Sequence, residues 1–475
     1  MADLQETSGQ DEAPTLERSI GPFQMALYGL GSMLGAGIYG LIGKAAGEVG
    51  NAVWLAFVVA LVAALLTALS YASLGSRYPR AAGAVYVAQR AYGFPLLSFM
   101  VGLALVCSGL TSIATQSRVF GANFLELFSL DGLPVSAIAL CYLFATTAII
   151  FRGIQEAMWV NVLCTVVSVA GLLLVVAVGI PFWGSVDYFE TPPVSDGDLT
   201  FLIVIQGAIL AFFAFIGFED MYNVAEEVRE PETTIPLGLV SAMLIAALVY
   251  IAVAITVVSV VPWDELAAAP GPITEVMARA APIIPPILFT GITIFAVANT
   301  GLVNFVTSSR LLYGMARQNL LPDHLGQVHR RRRTPHIAIL VLFLILVPLA
   351  LAGTIAELAA ATVLLLLTVF AVVNGSLFIL KGRKDEPPGR FEIPRFVPAL
   401  GFIVCLGLIV VRVSTGDWEA PAIAGALLLA SFLIYLLMRW LDPEAITEIG
   451  EDTAEAEAPT KSLEGLGSLL RARGR

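Results

Sequence analysis

The sequence predicts an all-α integral membrane protein of about twelve transmembrane helices, and three observations lead to this fold class. Of the 475 residues, 58% are hydrophobic and 13% are charged, whereas about 25% of residues are charged in ordinary soluble domains. Mostly apolar segments of roughly eighteen residues or more, the length a helix needs to cross a bilayer, recur along the whole chain. Two of these segments are interrupted at depth by glycines or by acidic residues.

The apolar segments lie between short loops and two acidic tails. We predict spans at about 21–47, 51–75, 83–124, 134–151, 157–181, 201–228, 235–261, 283–316, 335–353, 356–380, 396–413 and 419–440. The third and the eighth are long, so we expect them to tilt or to extend past the bilayer. Lys and Arg gather in one set of loops, which predicts that these loops are cytoplasmic. An even number of spans then places both tails, 1–20 and 442–475, on the cytoplasmic side of the plasma membrane.

The first interrupted segment runs from Leu27 to Gly40 and reads LYGLGSMLGAGIYG, with five glycines in fourteen residues. Each glycine inside a helix costs about 1 kcal/mol relative to alanine, which favours a broken helix. A break at membrane depth is tolerated where it lines protein or a water-filled cavity, and transporters bind their substrates at such breaks. Close helix packing through Ser32, Ala36 and Gly40 is an equally good interpretation of these residues.

The second interrupted segment is the sixth span, in which Gly217, Glu219 and Asp220 follow an apolar half. Two acids inside a span are costly unless they face a cavity, a partner or an ion. A shorter span, with both acids at the membrane surface, is the alternative. Interruptions in the first and the sixth spans, five spans apart, predict an inverted repeat with its site at the interface of the two halves.

Five sequence blocks carry a resemblance to a known family. They are GLGSMLGAGIY (29–39), SRYPRAAGAVYV (76–87), RGIQEAMWVN (152–161), FFAFIGFEDMYNVAEEVREPETTIP (212–236) and NTGLVNFVTSSRLLYGMARQNLLP (299–322). In this order and spacing, they resemble the amino acid–polyamine–organocation transporter superfamily. The resemblance implies a LeuT-like fold of two inverted repeats of five spans, here 21–181 and 201–380, followed by two further spans in 396–440.

The resemblance also implies a substrate site. In the superfamily the substrate carboxylate binds backbone N–H groups at the first break, which here are those of Gly35, Ala36 and Gly37. Small residues suit this role because the backbone itself must approach the ligand. Backbone carbonyls of both breaks bind the α-amino group, and the matching residues are Ser32, Met33, Phe213, Ala214 and Gly217. The ring of Phe213 matches an aromatic gate, although a core or lipid-facing position is the commoner place for a Phe. Glu219 is expected to orient the unwound segment, take up a proton or favour a cationic substrate.

The coupling ion stays open at this point. The hydroxyls of Ser308 and Ser309, facing the carbonyls of Gly31 and Leu34, would form an all-oxygen sodium site, since hard cations prefer oxygen ligands. Helix packing and bonding to the preceding turn is the other interpretation of the two serines. Some proton-coupled relatives carry a Lys in the fifth span, where this chain has Ser168. Sodium symport, proton symport and exchange without either ion are therefore all retained.

The resemblance thus implies a secondary transporter that moves amino acids by alternating access. The near-neutral lining favours a neutral amino acid, and Glu219 keeps a cationic amino acid or polyamine transporter or exchanger as an alternative. A channel or a nutrient sensor on a transporter fold is the alternative of another class. No enzyme, cofactor or metal cluster is predicted, because the four cysteines lack metal-binding spacing and the three histidines lie in one loop. The expected partners are the substrate and membrane lipid and not nucleic acid; the oligomeric state is not predicted.

The loop after the sixth span, AEEVREPETTIP, carries a cluster of acids. We expect this loop to position the sixth span or to pair with Arg77 and Arg80 at the start of the third. Its prolines are expected to end one helix and to begin the next.

Overall fold

The computed structural model describes residues 16–128, 130, 132–192, 200–269, 271–351, 355–415 and 419–441. Within these ranges the backbone is predominantly α-helical and contains no strand apart from an isolated parallel bridge between Ile20 and Val228. Seven described helical stretches are long and apolar enough to cross a membrane, and four shorter apolar helices accompany them. The chain is therefore an all-α, multi-pass membrane protein.

The α-helices of the described residues are numbered in chain order. They are α1 Pro22–Met33, α2 Ala36–Val49, α3 Val53–Arg77, α4 Gly83–Tyr92, α5 Pro95–Phe128, α6 Val135–Arg152, α7 Ile154–Gly179, α8 Thr200–Phe215, α9 Asp220–Asn223, α10 Pro231–Val260, α11 Trp263–Ala268, α12 Pro272–Ala280, α13 Pro286–Arg317, α14 His336–Leu351, α15 Ile355–Leu380, α16 Phe396–Thr415 and α17 Glu419–Leu441.

Small residues let these helices approach closely. In α3, Ala56, Ala60, Ala64 and Ala68 recur every four residues and are all buried, so they form one seam along the helix. Such seams of small residues are typical of helix contacts inside membranes, where lipid is as apolar as the side chains. The outer face of the same helix presents larger side chains such as Val62, which is 58% exposed and suits contact with lipid.

The third predicted span differs from the structure. The sequence predicts one long helix over 83–124, but the chain forms α4 and α5 with a turn between them. Gly93 ends α4 with φ +65°, a conformation that glycine adopts without strain. Pro95 then begins α5, because its fixed φ suits the first helical position. The eighth predicted span is a single helix of 32 residues, α13.

The first and the sixth segments are both interrupted, and their halves lie against each other. The first segment is divided into α1 and α2, and the sixth into α8 and α9. Helix α1 contacts α9, whereas α2 contacts α8. We call the end of the bundle with α1, α9 and residues 16–20 the N-terminal end, and the end with α2 and α8 the opposite end.

Candidate functional site

The first break lies between Met33, the last residue of α1, and Ala36, the first residue of α2. The first four N–H groups of a helix have no partner within it, so the N–H groups of Ala36 and Gly37 suit a carboxylate. The N–H of Gly35 instead donates to the carbonyl of Met33 at 2.8 Å. The predicted set of three donors thus contains two at the start of α2 and one that already has a partner.

The second break lies between Phe215, where α8 ends, and Asp220, where α9 begins. Gly217 has φ +121°, which residues with a side chain rarely adopt. Its N–H donates to Oε2 of Glu219 at 2.8 Å. The buried carboxylate of Glu219 therefore contacts the backbone of the unwound segment, as the predicted orienting role requires.

Two contacts join the breaks. Ser32 lies so close to the second break that a Cβ on Gly217 would come within 2.5 Å of Ser32 Oγ. Ser32 Oγ also donates to Oδ2 of Asp220 at 2.5 Å. The structure therefore brings the predicted residues of the first and the second breaks together at one place inside the bundle.

Tyr250 of α10 is a further residue of this site. Its hydroxyl is 2.7 Å from the carbonyl oxygen of Met33 and 2.9 Å from that of Ala214. A tyrosine has one proton to donate, so it satisfies one of these two carbonyls at a time. The other carbonyl is left able to accept a hydrogen bond from an ammonium group. The sequence offers little sign of this role, since Tyr250 is one aromatic in a long apolar segment.

The predicted substrate residues are closed off from solvent. The described side chains or backbones of this set are buried, namely Ser32, Met33, Gly35, Gly37, Ala214, Gly217 and Glu219. The side chains of Ala36 and Phe213 lie outside the described residues; their backbones belong to α2 and α8. The gate predicted for the ring of Phe213 therefore stays a prediction.

The two serines predicted to hold sodium lie on α13, where the structure gives their hydroxyls other contacts. A Cβ on Gly109 of α5 would come within 2.2 Å of Ser308 Oγ, so this hydroxyl faces α5. Ser309 Oγ donates to the carbonyl of Val306 at 2.7 Å and accepts from Arg310 at 2.8 Å. These contacts match packing and back-bonding, and the expected approach to the carbonyls of Gly31 and Leu34 is not among them. Sodium coupling itself stays a prediction.

Other polar residues surround the first break. A Cβ on Gly31 would come within 2.5 Å of side-chain atoms of Asn161, Thr165 and Asn299, and one on Gly35 within 2.1 Å of Thr300 Oγ1. Thr300 precedes Ser308 by eight residues, a rise of about 12 Å along a helix. The part of α13 that faces the first break therefore begins more than two turns before the two serines.

The polar residues beside Gly31 bond to one another. Asn161 Nδ2 donates to Asn299 Oδ1 at 3.1 Å, and Asn299 Nδ2 donates to Thr165 Oγ1 at 2.9 Å. Ser168, on the same helix as Asn161 and Thr165, is buried, and its carbonyl accepts a hydrogen bond from Tyr39 at 3.0 Å. The position where some relatives carry a Lys is therefore part of the contact between α7 and α2.

A buried ion pair closes the N-terminal end. Glu227 and Arg310 are both fully buried, and two hydrogen bonds of 2.9 and 3.0 Å join them. The backbone carbonyl of Glu227 accepts hydrogen bonds from the N–H groups of Ser19 and Ile20 at 2.9 and 3.0 Å. One residue thus connects the chain before α1, the end of the sixth segment and α13.

The partner of Arg77 corrects one part of the expectation for the acidic loop. Arg77 pairs with Glu392 at 2.5 Å instead of with an acid of that loop. Glu226 does reach the start of the third segment, where it accepts the N–H of Ala81 at 3.0 Å. A charged residue such as Arg310 inside a span signals a function or a partner, but the sequence does not say which acid lies opposite.

Comparison with known proteins identifies the family. A sequence model described as amino acid permease matches residues 20–438. The chain belongs to the amino acid permease family. The resemblance drawn from the five sequence blocks is thereby confirmed, and the chain is a transporter and not an enzyme.

Relatives of this permease differ in their named substrates. The branched-chain amino acid permease BcaP of Bacillus subtilis is 27% identical over 424 residues, which are 85% of this chain and 89% of the relative. The methylthioribose transporter of the same organism is 27% identical over 423 residues, 85% of this chain and 90% of the relative. The vacuolar cationic amino acid transporter 2 of Arabidopsis thaliana is 28% identical over 417 residues, 83% of this chain and 65% of the relative.

Proposed function

We propose that this permease is a secondary active transporter that moves an amino acid across the plasma membrane by alternating access around the two breaks. The observation that carries the proposal is the meeting of two interrupted helices in the buried interior, where Ser32 lies against Gly217. Free backbone groups at helix breaks can bind both charged ends of an amino acid. Membership of the amino acid permease family supports the same substrate class.

The proposed architecture has twelve spans, with inverted repeats at 21–181 and 201–380 and two further spans in 396–440. The N-terminal end faces the cytoplasm in this proposal, since Arg80, in a loop rich in Arg, lines one cavity with Leu16 and Arg18, and such loops are cytoplasmic. The matched contacts of α1 with α9 and of α2 with α8 support the repeat.

In the proposed site the substrate carboxylate binds the N–H groups of Ala36 and Gly37 at the start of α2. The ammonium group binds backbone carbonyls of the two breaks, including that of Met33 or Ala214. Tyr250 sets which of these two carbonyls is free, because its single proton goes to the other. In this arrangement, the two charged ends of the amino acid bridge the first and the second break.

A neutral amino acid is the favoured substrate, because glycines, alanines and hydroxyls dominate the predicted lining. The second candidate is a cationic amino acid or an amine, carried inward or exchanged. The buried carboxyls of Glu219 and Asp220 favour this candidate, since either can attract a positive side chain. The relatives named for branched-chain and for cationic substrates support the two candidates equally.

The test is uptake of a panel of labelled amino acids into proteoliposomes that contain the purified permease. We expect saturable, stereoselective uptake that a gradient of sodium or protons accelerates. Flux that does not saturate would favour a channel, and binding without flux would favour a sensor. Failure of every amino acid, with transport of an amine, would overturn the proposed substrate class.

The sodium hypothesis has its own test. Ser308→Ala with Ser309→Ala would abolish sodium dependence if those hydroxyls bind the ion, whereas Thr300→Val would do so if the site lies at the first break. If the wild type, the double serine variant and Thr300→Val depend equally on sodium, the ion binds neither at the two serines nor at Thr300.

A further inference from the structure

Asp220 is a buried carboxyl group beside the second break, next to Glu219. It begins α9 on the N-terminal side of the second break and is 5% exposed. Ser32 Oγ donates to its Oδ2 at 2.5 Å. Tyr28 and Thr307, whose hydroxyls lie 2.9 Å apart, are also close to this acid. Three segments, α1, α9 and α13, thus bring oxygen atoms together around one acid.

The nearby acid Glu227 shows what Asp220 lacks. Both oxygens of Glu227 bind the guanidinium of Arg310, so its charge is compensated inside the bundle. In the described part of the chain, Asp220 forms no ion pair, and its side chain accepts a hydrogen bond from the neutral hydroxyl of Ser32. An ionised carboxylate at membrane depth is costly without a cation. Its charge is therefore one that a bound cation would relieve.

The titratable and charged groups around Asp220 do not supply that cation. They come from its own segment, from α1, α3 and α13, and from the turn after α9: Glu219, Tyr222, Tyr28, Tyr71, Arg310 and Glu227, with Tyr86 and Arg80 beyond Tyr222. Of the two basic groups, Arg310 is already bound to Glu227 and to Ser309, and Arg80 lies over the ring of Tyr86. The neighbouring acid Glu219 accepts a hydrogen bond from the N–H of Gly217 through one carboxylate oxygen, so it is bound to the backbone of the second break.

We propose that Asp220 binds and releases the proton that is moved together with the substrate. This inference rests on the proposed transport function and deepens it by naming the coupling site. Ser32 links the two events, because its carbonyl belongs to the predicted ammonium site while its hydroxyl contacts Asp220. Binding of the substrate and protonation of Asp220 thereby depend on the same residue of α1.

The proton follows the substrate through one cycle. With the opposite end open, a proton from water binds one oxygen of Asp220 and neutralises it, so that the N-terminal end closes over an uncharged group. When α1 and α9 separate, water reaches the carboxyl group. The O–H bond then breaks, its electron pair stays on the carboxylate, and the proton goes to water on the N-terminal side. The empty carrier returns with Asp220 deprotonated and bound by the hydroxyl of Ser32, so that each cycle moves one proton in the same direction as the substrate.

The test compares two transport modes in proteoliposomes, using the amino acid that the uptake panel identifies. Counterflow, in which the amino acid is present on both sides, needs no net movement of protons. Uptake driven by an imposed proton gradient does need it. For Asp220→Asn we expect gradient-driven accumulation to fall at least about tenfold, with counterflow within about threefold of wild type. Glu392→Gln, which removes an acid in a loop far from the breaks, is the control and should change neither mode.

Each outcome decides between the two proposals. Gradient-driven accumulation that survives in Asp220→Asn overturns the coupling site while leaving the transport function intact. Accumulation that follows sodium and ignores the proton gradient in the wild type overturns it as well. The absence of counterflow in the wild type overturns the proposed function, and the coupling site with it.

A second variant covers the case in which Asp220→Asn does not fold. Ser32→Ala keeps the backbone carbonyl of this residue and removes the hydroxyl that donates to Oδ2 of Asp220. Because a hydrogen bond to the ionised form favours that form, the pH midpoint of transport should move to higher pH, by about half a unit or more. An unchanged pH profile in this variant overturns the proposal.

Discussion

The two ends of the broken helices are closed by different chemistry. At the opposite end, small apolar residues meet: a Cβ on Gly37 would come within 3.0 Å of Ala214 Cα, and one on Gly207 within 2.0 Å of Val49. At the N-terminal end, polar contacts close the bundle, and they include the pair Glu227–Arg310. Opening the opposite end separates apolar surfaces, whereas opening the N-terminal end separates charged groups. A change of pH is therefore expected to act on the N-terminal end and not on the other.

The difference also supports the place proposed for the substrate. Between the two ends, the backbone is free of helical bonding, and Tyr250 bridges carbonyls of both breaks. An occupant at this point touches the apolar end through α2 and the polar end through Ser32. Binding can therefore bias both ends at once, as alternating access requires.

The largest expected effect comes from breaking the buried ion pair. Glu227→Gln leaves the guanidinium of Arg310 buried without a counter-charge, which costs about 3–5 kcal/mol. We expect loss of folded protein or a large fall in the thermal unfolding temperature in detergent.

Two controls sharpen this prediction. The double variant Glu227→Leu with Arg310→Met should recover most of the stability, because apolar replacement of both partners removes the unpaired charge. Arg279→Gln, in a solvent-exposed ion pair beside the opposite end, should change the stability little, because solvent screens exposed charges. Equal effects at Glu227 and Arg279 would remove the contrast between the two ends.

The next largest effect is expected at the second break. Gly217→Ala combines an unfavourable φ of +121° with a Cβ 2.5 Å from Ser32, and backbone strain of this kind costs about 1–3 kcal/mol. Transport should fall together with stability, because the unwound segment must move. Gly291→Ala is the matched control, since it lies within α13 with open space around it; it should be neutral or stabilising by up to about 1 kcal/mol. A harmless Gly217→Ala would mean that the second break is not held in this conformation.

Substitutions at two buried tyrosines test the hydrogen bonds that join the breaks. Tyr250→Phe removes the donor shared by Met33 and Ala214 and should destabilise the protein by about 1–2 kcal/mol, with a raised KM for the substrate. Tyr71 is equally buried, and its hydroxyl has no hydrogen-bond partner among the described residues. Tyr71→Phe should therefore be neutral or slightly stabilising. The measurements are thermal unfolding and uptake kinetics, and similar results for the two variants would argue against a role for the shared hydroxyl.

The smallest effect concerns a loop outside the spans. Burial raises the pKa of Glu392, but hydrogen bonds from Lys381, the N–H of Gly389 and Arg77 outweigh it, so the pKa lies below its ordinary value. A lowered folded-state pKa stabilises the protein above the pKa of the unfolded chain, and this stabilisation is lost as pH falls through the folded-state value. Glu392→Gln should therefore cost about 0.2–1 kcal/mol near neutral pH and nothing once wild-type Glu392 is protonated. Unfolding curves at several pH values measure the difference, and a gap that persists in acid would contradict it.

Local signals in the sequence predicted the two breaks. Glycines crowded into the first segment and acids at depth in the sixth both act through their own backbone or burial, so no partner needed to be known. The pair Glu227–Arg310 and the role of Tyr250 depend on how distant helices are rotated against one another, which periodicity does not reveal in segments that are apolar all round. The same limit applies to the predicted sodium ligands: Ser308 and Ser309 have suitable chemistry, but the sequence does not reveal that Asn299 and Thr300 are the residues of α13 that lie beside Gly31 and Gly35.

The most direct test of the contrast measures both ends in one protein. Spin labels at positions 18 and 317 report on the N-terminal end, and labels at 48 and 187 report on the opposite end; all four native residues are exposed. Distances are measured in a background without native cysteines, at neutral and at acidic pH, with and without the substrate. We predict that pH alters the distance between positions 18 and 317 and leaves that between 48 and 187 unchanged. A pH response confined to positions 48 and 187, or equal at both ends, would contradict the account.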